Sequence, residues 1–246
     1  MDQMSISSDL RDPDACLTAR GLDQAIAVGE YLESFPNLEM LFVSPTLRTL
    51  QTARPLVERL GGREVRPEVW LDLHEEGGVF NGTRDDHLQN KTCDKIVHGL
   101  KIDEFSEHLG SIPVVKGVSG NSNGWWRGGF ESPCDAEVRG LELMVKFWEI
   151  SDFLIKDKKL LNPTVVVVSH GLLMDRISRN FLGRTTSRDN TPFFTHNCGI
   201  NIFHLYPNTR AVAVACLNSN LHIPSSLRSG HTVGTKFRCG SDFTAK

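Results

Sequence analysis

No stretch of this chain approaches the roughly 20 consecutive apolar residues of a membrane-spanning helix, so the sequence predicts no membrane partner. Closely paired cysteines are also missing. The six cysteines (Cys16, Cys93, Cys134, Cys198, Cys216 and Cys239) form no CxxC pair, which removes the spacing of a zinc site and the density of a disulfide scaffold. Free thiols in a reducing compartment are the simpler reading. Met1 to Arg11 is polar and acidic, with neither the apolar centre of a secretion signal nor the basic face of a transit peptide, and the cytoplasm is the expected location. Charge of neither sign prevails: a net charge of -3 gives no support for a nucleic-acid partner. No Gly-x-Gly-x-x-Gly follows a strand and no Gly-x-x-x-x-Gly-Lys loop occurs, so dinucleotide and nucleotide-triphosphate folds have no fingerprint. Ser169 lacks the preceding glycine of a nucleophile elbow. The nine histidines show no paired metal-ligand spacing, and none of them precedes His74.

What is present is an ordinary globular composition, 39% hydrophobic and 23% charged, in a chain long enough for one large core. A single domain over 1–246 is the expected organisation. The most informative stretch is Thr164-Val165-Val166-Val167-Val168-Ser169-His170-Gly171. Its β-branched run predicts a central strand buried on both faces, and a helical pattern starts at Leu172. His170 is thereby placed at the carboxyl end of a strand, the edge where open α/β sheets bind ligands, beside a helix start that favours anions.

The remaining elements fit the same class. A helix is predicted from Leu17 to Tyr31-Leu32, with Thr18 as its cap, followed by a short strand at Met40–Val43. Ser44-Pro45 reads as the N-cap and first position of a second helix, which puts Arg48 one turn in, on the face of Ser44, within reach of an anion. Glu64 to Trp70 predicts another strand. After it, His74-Glu75-Glu76-Gly77-Gly78 sets acids and a histidine before a glycine bend, a pattern more often a solvated turn than a general acid. Periodicity fades over 79–131, a loop-rich segment expected to act as a substrate or lid insertion carrying Trp125 and Trp126, although the two rings could equally fill a peripheral core. Ser132-Pro133 starts a helix to about Lys156 with Val138, Leu141, Val145 and Trp148 on one face. A helix over Leu172–Leu182 closes at Gly183, and a hairpin is predicted from Gly199–Tyr206 and Ala211–Leu217 around Pro207-Asn208.

Three of these stretches, in order, resemble the histidine phosphatase superfamily, also called phosphoglycerate mutase-like. Ser44-Pro45-Thr46-Leu47-Arg48-Thr49-Leu50-Gln51-Thr52-Ala53 is similar to its Ser-Pro-x-x-Arg-x-x-Gln-Thr-Ala signature. Leu17-Thr18-x-x-Gly21-x-x-Gln24-Ala25 resembles its helix start, and Val168-Ser169-His170-Gly171 its second histidine motif. Leu73-His74-Glu75 stands where the family has its acid. The resemblance implies an α/β fold with a mostly parallel sheet sandwiched by helices. It also implies phosphomonoester hydrolysis or mutase-type transfer through phosphohistidine, with no metal or cofactor and a phosphorylated small molecule or phosphoprotein as partner. Carried over by motif, Arg48 and His170 hold phosphoryl oxygens and Glu75 protonates the leaving oxygen, with Glu76 as fallback. That logic suits phosphoryl transfer, which is mostly positioning and neutralisation of oxygen charge.

One part of the pattern is missing. Relatives carry Arg-His-Gly at the end of a first strand, supplying the nucleophile and another arginine. Here residues 1–16 contain no hydrophobic strand. The resemblance therefore implies an N-terminally incomplete domain whose first central strand, expected between the strands ending at Val43 and Val168, is absent. A chain of this kind is expected to turn over little substrate. The alternative is a non-catalytic module that binds a phosphorylated ligand or a protein partner. A substitute nucleophile such as His74 or His196 is disfavoured, because in-line attack demands close placement. Substrate identity and oligomeric state are not legible.

Overall fold

The computed structural model describes residues 12, 14–61, 63–79, 98–117, 123–126, 129, 131–184, 193 and 195–229. Residues 1–11 and about half of the expected lid over 79–131 lie outside the described residues, as do Cys93 and Cys239. Four parallel strands form the main sheet: β1 (Leu38–Val43), β2 (Pro67–Trp70), β3 (Val114–Lys116) and β4 (Thr164–Val168), in the order β3-β2-β1-β4. The helices are α1 (Ala19–Glu33), α2 (Leu47–Arg59), the short α3 (Phe105–Leu109), α4 (Pro133–Asp152) and α5 (Gly171–Phe181). A separate antiparallel pair joins β5 (Ile200–Tyr206) to β6 (Ala211–Ser219). This is the α/β architecture that the pattern predicts.

Strand alternation divides the core into two layers. Leu41, Val43 and Val166 point to the side of Leu50, Ala53 and Leu56 from α2, where Trp125 and Phe105 complete the layer. Phe42 points the other way, packing with Leu143 and Phe147 from α4 and Leu173 and Ile177 from α5. Helices therefore cover both sheet faces. α1 lies close against α2, because Gly29 lets the Leu56 backbone approach; a Cβ at Gly29 would meet Leu56 N and Pro55 Cβ at 3.0 Å. Thr18 caps α1 as predicted, its hydroxyl accepting from Gly21 N–H at 3.2 Å. Ser132 likewise caps α4, with Asp135 completing a capping box.

Four expectations are corrected. The strand ending at Val168 pairs directly with the strand ending at Val43, register Val43↔Val168, so no strand is missing between them. β4 instead ends the sheet, with β1 as its only strand partner among the described residues. Ser44 does not cap α2: the helix begins at Leu47 after Thr46, because the Ser44 hydroxyl is bound to His170. The face predicted for α4 is also displaced. Val138 and Val145 are about half exposed, while Ala136, Gly140, Leu143 and Phe147 are buried, since α5 packs on that stripe. Within 79–131, residues 98–117 are not loop alone, for they carry α3 and the sheet-edge strand β3, parallel to β2.

Candidate active site

The carboxyl ends of β1 and β4 lie side by side, and the residues that follow them meet. Ser44 N–H donates to Val168 C=O at 2.9 Å, continuing the ladder past β1. His170, the N-cap position of α5, then turns its ring back over β1 and is almost fully buried. Its Nε2 lies 2.7 Å from Ser44 Oγ, and its Nδ1 lies 3.1 Å from an Arg48 terminal nitrogen. A guanidinium can only donate, so Nδ1 is the acceptor and the neutral ring carries its proton on Nε2, donating to Ser44. Burial, then the positive charge of Arg48, holds His170 well below the ordinary histidine range. The unliganded ring is neutral.

Arg48 is half-buried and is the second residue of α2, not one turn in, because the helix starts at Leu47. The α2 N-terminus beside it is not open, however: Asp14 Oδ1 accepts from Leu47 N–H at 2.8 Å. Nothing in the sequence pattern singles out Asp14. The structure leaves α2 without a side-chain cap of its own, so its first N–H groups take an acceptor from outside the helix, a contact with no signal in the sequence. Burial raises the Asp14 pKa, offset by that N–H and by Arg48.

The acidic loop after β2 delivers the third group. Leu71–Leu73 forms a single 3-10 turn, and Ser169 Oγ donates to Leu73 C=O at 3.0 Å, fastening this loop to the end of β4. Glu75 Oε1 accepts from Glu76 N–H at 2.9 Å and from Leu173 N–H at 3.2 Å in the first turn of α5. Burial raises the Glu75 pKa, and its two backbone donors and Arg48 only partly offset this. A carboxyl group biased toward its protonated form is what a proton donor to a leaving oxygen requires. Glu76 is engaged elsewhere: Arg176 binds its Oε2 through Nε at 3.0 Å and a terminal nitrogen at 2.6 Å, and also pairs with Glu137. The geometry favours Glu75 over the fallback.

Arg139 holds the loop from below and was missed by the sequence reading. It donates to Asp72 C=O at 2.7 Å and His74 C=O at 3.0 Å, while Glu131 grips its other nitrogens at 2.7 and 2.6 Å. Arg139 lies within the buried stripe of Ala136, Gly140 and Leu143, a stripe the structure identifies and the sequence pattern does not. His74 is buried, with Nδ1 donating to Glu75 C=O at 2.8 Å and its ring edge-on to Trp126. Burial, and then Arg139, lowers its pKa to about 4. Trp125, 2% exposed, belongs to the core. Trp126 covers Gly78, where φ is +67° and a Cβ would meet the indole at 2.2 Å. Of the two predicted loop rings, Trp125 is therefore a packing residue and Trp126 shields the acidic loop.

Arg48, Glu75 and His170 line one end of a groove of about 1940 Å³, together with Cys16, Thr18 and Arg20. Chemically, the group offers an arginine, a neutral imidazole that can accept a proton, and a carboxyl group biased toward neutrality. Among the described residues, no three His, Cys, Asp or Glu side chains converge as a metal ion would need. No described helix is long and apolar enough to cross a membrane.

A profile of the histidine phosphatase superfamily (branch 1) matches residues 9–104, a stretch that includes Arg48 and Glu75 but not His170. No curated protein sequence matches the chain. Among solved structures, the chain is similar to YhfR of Bacillus stearothermophilus, at 20% identity and a TM-score of 0.52 over 86% of this chain and 88% of that one. It is similar to a mycobacterial glucosyl-3-phosphoglycerate phosphatase, at 20% identity and TM-score 0.51 over 85% and 90%. The ecdysone phosphate phosphatase of Bombix mori, solved with tungstate, gives 16% identity and TM-score 0.53 over 89% and 77%. At these identities the likeness is one of fold, which is phosphoglycerate mutase-like.

Proposed function

We propose that the end of the groove is a phosphomonoester site built for phosphatase-type phosphoryl transfer. Arg48 and His170 hold the phosphoryl oxygens and Glu75 donates the proton to the leaving oxygen. The observation that carries this reading is the 3.1 Å contact of Arg48 with His170 Nδ1, which sets a fixed cation and a proton-accepting imidazole at one point. On binding, Arg48 exchanges its imidazole acceptor for a phosphate oxygen, and Nδ1 takes up a proton and becomes a second donor. A dianion favours that protonation, against the burial that opposes it. The family profile and the fold of the phosphatases support the class of reaction.

Turnover is a separate matter. The usual mechanism needs a second histidine in line with the phosphorus, and no histidine precedes His74 in this sequence. His74 itself is enclosed by Trp125, Trp126 and its own backbone bond. Binding with little turnover is the behaviour proposed for this 246-residue chain. Calorimetric titration with inorganic phosphate, alongside hydrolysis of p-nitrophenyl phosphate, tests both parts. Saturable binding lost in Arg48→Ala and His170→Ala is the expected result, with hydrolysis near background. Absence of phosphate binding would defeat the site. Robust hydrolysis abolished by both His170→Ala and His74→Phe would defeat the low-turnover reading and make His74 the nucleophile.

A further inference from the structure

Ser44 is completely buried, and its backbone is fixed on both sides: its N–H donates to Val168 C=O at 2.9 Å and its C=O accepts from Thr49 Oγ1 at 2.9 Å. Pro45 restricts the residue before it to extended backbone, so Ser44 prolongs β1 instead of entering α2. Among the described residues its hydroxyl has one partner, His170 Nε2 at 2.7 Å. Thr46 Oγ1 lies 3.4 Å from the same nitrogen, at the limit of a hydrogen bond, and is already bonded to Thr49 Oγ1 at 2.8 Å. The charged and titratable groups that face the ring are Arg48 from α2, His74 from the loop after β2 and Arg139 from α4, while Glu75 has Arg48 as its neighbour. Two of these are cations, and His74 is neutral near pH 7. A buried imidazolium among them needs an acceptor for each of its N–H groups. Bound phosphate serves Nδ1, which leaves Nε2 to Ser44.

We infer that Ser44 is a positioning residue, which keeps a proton on His170 Nε2 in both the free and the phosphate-bound site and so confines proton exchange to Nδ1, the nitrogen that faces the ligand. The inference rests on the phosphate reading above. Without phosphate the ring is neutral, with Nδ1 accepting from Arg48 and Nε2–H donating to Ser44. With phosphate, Arg48 turns to an oxygen and Nδ1 takes a proton from solution. The Nε2–H bond to Ser44 then becomes charge-assisted, about twice as strong as its neutral form. Ser44 therefore holds the protonated ring more firmly than the neutral one, and that difference favours the change of state that phosphate requires. A hydroxyl suits this role. A carboxylate in its place would keep the imidazole charged without ligand, and an alanine would leave Nε2–H buried without an acceptor.

Ser44→Ala and Thr49→Val, each in the 246-residue chain, separate this role from a purely structural one. Thr49→Val removes the hydroxyl that fastens Ser44 C=O but leaves Ser44 Oγ beside the ring. Sulfate, a phosphate mimic of constant charge near neutral pH, is titrated calorimetrically into all three proteins across a range of pH, and the His170 ring is followed by nitrogen NMR. In Ser44→Ala the profile of affinity against pH is expected to keep its shape and move about one unit toward acid, a loss of about tenfold where the profile is steepest, from the difference between a charged and a neutral hydrogen bond. Thr49→Val should leave the profile in place. In wild type, Nε2 should carry its proton with and without sulfate. An unchanged profile in Ser44→Ala, a loss equal at every pH, the same displacement in Thr49→Val, or an Nε2 without its proton in either state overturns the role of Ser44 while leaving the anion site standing. Wild type that binds neither sulfate nor inorganic phosphate overturns the site itself, and this inference with it.

Discussion

Acid should weaken this fold through His74, and the effect can be isolated. The buried ring has its pKa lowered to about 4, from 6.5 for a free histidine. As pH falls through 6.5 the unfolded chain takes up a proton that the folded chain refuses. The contribution of His74 is therefore fully present above pH 6.5 and is lost progressively down to about pH 4. Linkage with these two values gives a loss of about 2 kcal/mol between pH 7.5 and pH 5, a sizeable share of a typical domain stability. Glu75 and Asp14 act in the opposite sense, because their raised pKa values favour the folded state at low pH and lose that advantage as pH rises. Wild type alone thus reports a mixture. The informative quantity is the difference between wild type and His74→Phe, which keeps the aromatic packing against Trp126 and removes the titration. Urea unfolding of both proteins at the two pH values should show wild type losing about 2 kcal/mol more than the variant. Equal losses would refute the claim that His74 is held neutral by burial.

Other consequences are as direct. Arg48→Ala should weaken phosphate binding by about 10- to 100-fold, the worth of a charge-assisted hydrogen bond, with little change in unfolding midpoint because the side chain is half exposed. Sulfate, whose charge is constant across neutral pH, should bind more tightly at pH 6 than at pH 8 and take up a proton at His170. Calorimetry in buffers of different ionisation enthalpy measures that uptake, which should vanish in His170→Ala. Gly29→Val should cost about 1–3 kcal/mol in thermal or urea unfolding, since its side chain would collide with the backbone of α2.

Much of this was legible in the sequence because it rests on local signals. Thr18 and Ser132 announced their helices, the valine run announced β4, and Ser44, Arg48, Glu75 and His170 were marked by their places after strands. What local patterns do not carry is which neighbour each element finds. The valine run reads the same in the middle of a sheet as at the lip of a groove, so β4 was expected to be central. Ser44 satisfies the rule for a helix cap, yet its hydroxyl is better used by a buried imidazole 126 positions away. The stripe of α4 was displaced because Val138 and Val145 are apolar but face solvent, while Gly140 and Arg139 lie inside. β3, three residues long, is too short to show a period and exists by pairing with β2. Arg139 and Asp14 act through backbone groups of other loops, contacts that no spacing rule encodes.

The central claim is that His170 and Arg48 form a phosphate site whose imidazole changes state on binding. Nitrogen NMR of labelled imidazoles, recorded with and without saturating inorganic phosphate, tests it most directly. Without phosphate, His170 should show a bare Nδ1 and a protonated Nε2; with phosphate, both nitrogens should carry protons. A His170 ring unchanged by phosphate that binds nonetheless would place the anion elsewhere and contradict the account.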